Sequence, residues 1–230
     1  MKSIASAASL SAAASVPAGA ALAGAAAGLA ALRRFRAKPL HPRGVVVEAR
    51  LVRTGVPPGA RASGVPWLDE PGEDRTLVRA SRAVGLPRSW PDVHGIALRV
   101  PVEGRGYGDL LLASTGWGAL GRFFLTVSRC PTARPMTTLL PYRTARGPVL
   151  VGAQHVDGGA RIQLSWTRAL GPWRPFAEID LVGAASDGDA AVRFDPVLRT
   201  VPGLETYEWV RRLREPAYAT ARFVARFVAR

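Results

Sequence analysis

Cysteine, histidine and lysine are scarce in this chain of 230 residues, which contains one cysteine, three histidines and two lysines. The single cysteine, Cys130, can form neither an intramolecular disulfide nor a CxxC redox pair, so a disulfide-stabilised scaffold is excluded. The histidines His41, His94 and His155 lie far apart along the chain and form no HExxH motif. A zinc enzyme is therefore not expected.

Acidic residues are also few, with 17 against 31 basic residues, and the formal net charge is +14. Lys2 and Lys38 are the only lysines, so the other 29 basic residues are arginine. An excess of this size can serve an anionic partner such as phosphate, a carboxylate or an acidic membrane surface. The arginines are scattered and form no dense basic run, so no specific nucleic-acid partner is expected.

Residues 1–38 form an alanine- and glycine-rich segment with no charge between Lys2 and Arg33. Its apolar run, Val16–Leu32, has 17 residues, which is the lower limit for a membrane span, and alanine and glycine are only weakly apolar. Three interpretations stay open: a loose or helical leader, a membrane-associating segment, and a cleaved signal. We expect a cytoplasmic protein; under the membrane-associating interpretation, the arginines after the run place the main domain on the cytoplasmic side by the positive-inside rule.

Residues 39–204 have the alternating, turn-punctuated pattern of short β-strands, and 48% of the whole chain is apolar, which is enough for a sizeable core. In the first strand Val47, Ala49 and Leu51 alternate with charged residues, as expected when one face is buried. The predicted strands are Gly44–Arg53, Thr76–Arg82, Gly95–Val102, Gly108–Ser114, Pro148–His155, Ala160–Arg168 and Pro175–Val182. Trp117–Arg146 interrupts the series and is expected to be helical or irregular. Strands without alternating helices predict an antiparallel barrel or sandwich.

Residues 205–230 contain few turn residues and show a helical pattern. Tyr207, Val210 and Leu213 recur at helical spacing, and an arginine-flanked apolar pattern continues to the end of the chain. This predicts a basic amphipathic C-terminal helix, which either packs on the main domain or lies on an anionic membrane.

Several stretches, in the same order along the chain, resemble motifs of the catalase superfamily. They are His41-Pro42-Arg43-Gly44, Val78-Arg79-Ala80-Ser81, Asp92 to Val100, Asp109-Leu110-Leu111, Phe194-Asp195-Pro196 with Pro202-Gly203-Leu204-Glu205, and the pair Arg214 and Tyr218. Short patterns recur by chance, but their common order on a strand-rich background is considerably more specific. The resemblance implies a mainly β (α+β) fold, a catalase-like antiparallel β-barrel with a C-terminal helix, preceded by the alanine-rich leader.

The resemblance also implies a heme b cofactor. His41 and Arg79 would lie on its distal face, and Tyr218 would be the proximal ligand of the heme iron, with Arg214 beside it. A tyrosinate ligand favours a high oxidation state of iron, and an arginine four residues away would hold the phenol ionised. A distal imidazole can accept a proton from peroxide and return it to the leaving oxygen. Arg79 suits a buried propionate carboxylate.

The sequence departs from the family pattern at several of these positions. Ala113 and Ser114 occupy the place of the distal asparagine, so Ser114 is the candidate catalytic replacement there. His94 occupies the place of a propionate-binding arginine, which makes it a candidate cofactor-binding residue. Ala80 replaces an aromatic residue, and the residues after Tyr218 differ from the family's. We therefore expect a weak peroxidase or catalase acting on hydrogen or organic peroxide in the response to oxidative stress.

Two alternatives stay open at this point. One is a barrel without heme that binds a hydrophobic or anionic small molecule near a membrane. The other is a phosphoesterase, which the arginine content alone suggests. The sequence predicts no oligomeric state.

Overall fold

The computed structural model describes residues 44–212, apart from positions 84, 88, 105 and 169 and the segment 184–191. This part of the chain is mainly β, and the strands are separated by short turns and a few longer connections. The elements are β1 (Gly44–Thr54), α1 (Pro66–Asp69), β2 (Pro71–Arg82), β3 (His94–Val102), β4 (Gly106–Ser114), β5 (Met136–Thr137), β6 (Tyr142–Thr144), β7 (Gly147–Val156), β8 (Arg161–Thr167), β9 (Arg174–Leu181) and β10 (Glu205–Thr206).

Within the described residues eight strands close into one antiparallel barrel. Hydrogen bonding connects them in the order β7-β5-β4-β3-β2-β1-β9-β8, and pairing of β7 with β8 completes the ring. Strands β6 and β10 extend the sheet beside β7. The predicted mainly β fold with an antiparallel barrel is therefore confirmed.

Alternation along β1 shows how the sequence produces one inward and one outward face. Ala49 and Leu51 are buried in the barrel core, whereas Glu48 and Arg50 on the opposite face are exposed. β1 pairs with β2 without interruption from Gly44↔Ser81 to Thr54↔Pro71, so the inward residues of the two strands stay aligned. The inward residues of the other strands include Leu98, Leu110, Val151, Leu164, Trp166, Phe176 and Ile179, each of which is buried.

The connection between β1 and β2 closes one end of the barrel, called the α1 end below. Trp67 of α1 packs edge-on against Phe176 of β9, with 5.3 Å between the ring centroids. Asp69 ends this short helix, and its carboxylate accepts hydrogen bonds from the backbone N–H groups of Ser63 and Gly64 at 2.8 and 2.7 Å. The β6–β7 and β8–β9 turns lie at the same end because all neighbouring strands are antiparallel. The opposite end, where β1 and β3 begin, is called the His94 end.

Two segments differ from the sequence-based expectation. Within Trp117–Arg146 the structure has a single 3₁₀ turn, Gly121–Phe123, but also β5, which is one of the eight barrel strands. A strand of two residues has no periodicity that a sequence pattern could detect. At the C-terminal boundary, Glu205–Thr206 forms a strand, and the helical residues are 208–212 as far as the described chain extends.

The leader, residues 1–38, and most of the predicted C-terminal helix lie outside the described residues. In the described part of the chain no helix has the length and apolar character needed to cross a membrane.

Candidate functional site

The outer surface of β1–β4 near the His94 end is formed by small side chains. Gly44, Ser81, Gly95 and Ala113 lie side by side in one row across the four strands, because Gly44 pairs with Ser81, Ser81 with Gly95 and Gly95 with Ala113. Ala97 lies two residues further along β3 on the same face and is 7% exposed. We call these five residues the small-residue face. None of these side chains is larger than a serine, and Gly95 and Ala97 are buried.

Arg79 lies on this same outward face, next to Ala97 in the sheet. It is only 7% exposed, and its guanidinium lies against β1 at Gly44. A Cβ added at Gly44 would be 2.6 Å from Arg79 Cζ, so any larger residue would displace the guanidinium. Gly44, the glycine of the His-x-x-Gly stretch, therefore leaves the space that the Arg79 guanidinium occupies at the edge of the small-residue face.

His94 and Ser114 lie on the other side of the sheet. By strand alternation they share the inward face with Ile96 and Leu112, whereas Arg79 points outward. His94 Nε2 is 3.0 Å from the carbonyl oxygen of Ser128. The structure thus does not bring these two candidates together with Arg79.

The Ser114 hydroxyl is engaged by backbone groups. It accepts a hydrogen bond from His94 N at 3.1 Å and donates to the carbonyl oxygen of Thr126 at 2.6 Å. These contacts tie the start of β3 to the segment that follows β4. The catalytic role of Ser114 and the cofactor role of His94 remain predictions. The contacts that the two side chains make are with backbone groups at the His94 end of the barrel.

Three further candidates, His41, Arg214 and Tyr218, lie outside the described residues. Their roles stay predictions. Among the described residues no group of three or more histidine, cysteine, aspartate or glutamate side chains is placed to hold a metal ion.

Three of the family-like stretches meet on the outside of the β3–β4 hairpin. Arg99 and Asp109 pair side by side, with Nε–Oδ1 and Nη2–Oδ2 distances of 2.8 and 2.9 Å. The Asp109 side chain is fully buried, and its Oδ2 also accepts a hydrogen bond from Asp195 N at 2.8 Å. The Arg99 guanidinium lies over the Phe194 ring, 4.7 Å from its centroid. This charge pair therefore fixes the Phe194-Asp195-Pro196 stretch on the barrel wall.

The Pro202-Gly203 turn is fixed by close packing. Gly203 has a φ of +81°, which favours glycine, and Val201 is so close to β4 that a Cβ at Gly108 would lie 2.8 Å from its Cγ2. The sequence suggested these motifs only through their order along the chain. The pairing of Arg99 with Asp109 could have been anticipated, because they are outward charges on paired strands, but the contact with Asp195 could not.

A second aromatic and cationic group covers β7. Trp117 and Trp173 stack with their centroids 4.1 Å apart and an interplanar angle of 15°, and we call them the tryptophan stack. The absence of a side chain at Gly152 makes room for both rings. Arg122 lies over Trp173 at 4.6 Å and donates to Thr167 Oγ1 at 3.1 Å, and burial lowers the pKa of its guanidinium. This group attaches the segment after β4 to the barrel wall.

Two smaller side chains have shifted pKa values. Burial lowers the pKa of His155, an effect partly opposed by a hydrogen bond with the Gly159 backbone. The pKa of the exposed Cys130 thiol is lowered by hydrogen bonds with Thr132, whose Oγ1 lies 3.2 Å from Sγ. Neither residue lies on the small-residue face.

The fold is similar to that of solved catalases. The match with a bacterial catalase covers 80% of this chain and 56% of the catalase chain, at 13% identity and a TM-score of 0.53. The match with a fungal catalase covers 86% of this chain and 61% of the catalase chain, at 12% identity and a TM-score of 0.58. The match with catalase A from Saccharomyces cerevisiae covers 86% of this chain and 63% of the catalase chain, at 10% identity and a TM-score of 0.54. The chain therefore has a catalase-like fold.

The described barrel corresponds to only part of those enzymes, since the match covers 56–63% of their length. No family model matches the chain, and no curated protein matches it. At this identity the likeness concerns the fold.

Proposed function

We propose that this protein binds heme b and acts as a weak catalase-like oxidoreductase on hydrogen or organic peroxide. The observation that supports the proposal best is the buried Arg79 at the edge of the small-residue face. The catalase-like barrel supplies the context, and the chemistry depends on this face and on the residues that the sequence places near it.

The small-residue face and Arg79 fit a planar group that carries a carboxylate. Gly95 and Ala97 add almost no side-chain bulk to the sheet beside Arg79, whose guanidinium lies over Gly44. A guanidinium forms bidentate, charge-assisted hydrogen bonds with a carboxylate, and burial strengthens them. Arg79 would therefore hold one propionate of the heme.

The position of His41 in the sequence is consistent with this arrangement. It precedes Gly44 by three residues, so the covalent chain allows at most about 11 Å between their Cα atoms. The His41 imidazole would accept a proton from the peroxide and return it to the leaving oxygen. Tyr218 would bind the iron, and Arg214 would hold its phenol ionised. Heme, when bound, would supply the redox chemistry on peroxide.

Two features support a weak activity. The outward position at the end of β4 is Ala113, whose methyl group offers no hydrogen bond to a peroxide. Ser114 next to it faces inward and already donates to the backbone of Thr126. The peroxide would therefore be oriented with one partner fewer than in a site that has both a histidine and an amide, and the rate would be lower.

The test is an absorption spectrum of the full chain produced with ample heme, followed by heme titration of variants. We expect a stoichiometric Soret band that is shifted or lost in Tyr218→Phe. Arg79→Gln removes a charged hydrogen bond and should weaken heme affinity about tenfold. The matched control is Arg75→Gln, an exposed arginine on the same face of the same strand, which should bind heme as the parent does.

A folded, colourless protein that also fails to take up added hemin would refute the proposal. Equal heme affinity of the Arg79 and Arg75 variants would refute the role of Arg79 even if heme binds. Peroxide assays follow only for a protein with a Soret band, and His41→Ala should then lower turnover without abolishing the band.

A further inference from the structure

Four arginines converge at the α1 end of the barrel, on the side away from the small-residue face. Arg61 belongs to the β1–β2 connection, Arg146 to the β6–β7 turn and Arg168 to the β8–β9 turn, and Arg174 is the first residue of β9. We call them the arginine cluster. Arg61 and Arg174 are 113 residues apart in the sequence, so only the closed barrel brings them together.

Backbone groups of residues 61–64 hold the cluster in place. Arg168 Nη2 donates to the carbonyl oxygen of Ala62 at 3.0 Å, and Arg174 Nη1 donates to that of Arg61 at 2.7 Å. The stem of Arg146 lies so close to Gly64 that a Cβ there would be 2.9 Å from its Cγ and Cδ. Arg174 also lies over the Trp166 ring at 5.1 Å. The guanidiniums of Arg168 and Arg174 are therefore positioned by neutral groups, which do not compensate their charges.

One nearby carboxylate, Asp69, offsets only part of this charge. Asp69 already accepts hydrogen bonds from the backbone N–H groups of Ser63, Gly64 and Val65. Burial, and then the positive charges of Arg61, Arg146 and Arg174, lower the pKa of Arg168. Mutual repulsion among fixed cations favours the binding of an anion.

One donor in the cluster is also unused. Arg168 Nε is buried and has no hydrogen-bond partner among the described residues. A buried donor without an acceptor is unfavourable, so a ligand that supplies one would bind with a gain in free energy. Arginine side chains present paired N–H groups whose geometry matches a tetrahedral oxyanion.

We propose that the arginine cluster binds a phosphate group, either free phosphate or the phosphate of an organic monoester. A dianionic phosphate offers several acceptor oxygens, enough for Arg168 Nε and the remaining N–H groups. The site is separate from the small-residue face, at the other end of the barrel, and it does not depend on heme.

Isothermal titration calorimetry with inorganic phosphate and with a nucleoside monophosphate tests the proposal. Arg146→Gln, which changes an exposed side chain, should weaken binding of both probes about tenfold. Arg168→Lys keeps the charge but loses the paired donors, so it should weaken binding by a similar factor. The matched control is Arg161→Gln, an exposed arginine at the His94 end, which lowers the net charge equally. We expect its affinity to equal that of the parent.

Equal affinity for the two probes would indicate that the phosphate group alone is recognised, and tighter binding of the monophosphate would indicate an organic ligand. Both results support the proposal. It is overturned if the parent binds neither probe, if Arg161→Gln weakens binding as much as Arg146→Gln does, or if the protein binds only vesicles of anionic lipid. Thermal melting of each variant verifies that it is folded before titration.

Discussion

Replacing Asp109 with asparagine should destabilise the barrel more than replacement of any exposed carboxylate. The Asp109 side chain is fully buried and the Arg99 side chain is 12% exposed, so the charge on Arg99 would be left largely desolvated. Removing one partner of such a pair lowers the free energy of unfolding by about 3 kcal/mol or more, because the remaining charge is buried without a comparable partner. For a chain of this size we expect a fall in Tm of about 6–12 °C.

The assay is chemical denaturation followed by circular dichroism, with thermal melting in parallel. The control is Glu73→Gln, which removes an ion pair to Arg50 whose side chains are 56% and 51% exposed. Solvent screens that pair, so we expect no measurable change in its unfolding midpoint. If Asp109→Asn proves as stable as Glu73→Gln, then the Arg99–Asp109 pair does not hold the Phe194-Asp195-Pro196 stretch in the way proposed.

Three other predictions concern packing and protonation. Gly152→Ala should destabilise the protein by about 1–3 kcal/mol, because its Cβ would overlap the tryptophan stack. Gly118→Ala, where a Cβ meets nothing within 4 Å, should leave the free energy of unfolding nearly unchanged; both variants are measured by urea denaturation. His155 has a lowered pKa in the folded state, so the unfolded state binds more protons, and stability should fall as the pH drops below about 6.5. His155→Gln should abolish the part of that fall that begins as the pH drops through about 6.5, and an unchanged pH profile would refute it. Thr132→Val should raise the pKa of the Cys130 thiol and slow its alkylation at neutral pH; an unchanged rate would contradict the contact.

Much of the barrel could be predicted because each long strand contains its own evidence. In β1 the alternation around Ala49 and Leu51 depends only on neighbouring positions, and seven strands were predicted close to their observed places. β5 could not be predicted, since two residues show no period. β2 was predicted to begin at Thr76, but it begins at Pro71 because pairing with β1 extends across a polar, exposed stretch.

The candidate site was predictable only in part. Arg79 was selected from its family-like stretch, and the structure places it beside Gly44 of another such stretch. His94 and Ser114 were selected by the same reasoning, but strand parity puts them on the inward face, where backbone groups occupy their polar atoms. A residue's position in a motif says nothing about its face until the register of the strand is known.

The sequence alone determined the local features of this protein: which residues alternate between core and surface, where turns occur, and which stretches resemble a catalase. The tertiary structure decided which distant residues meet. Asp109 with Asp195, and Arg61 with Arg174, are brought together by sheet register and barrel closure. Local pattern depends on neighbouring side chains, whereas closure depends on the simultaneous pairing of eight strands. Contacts that arise from closure therefore leave no short-range signal in the sequence.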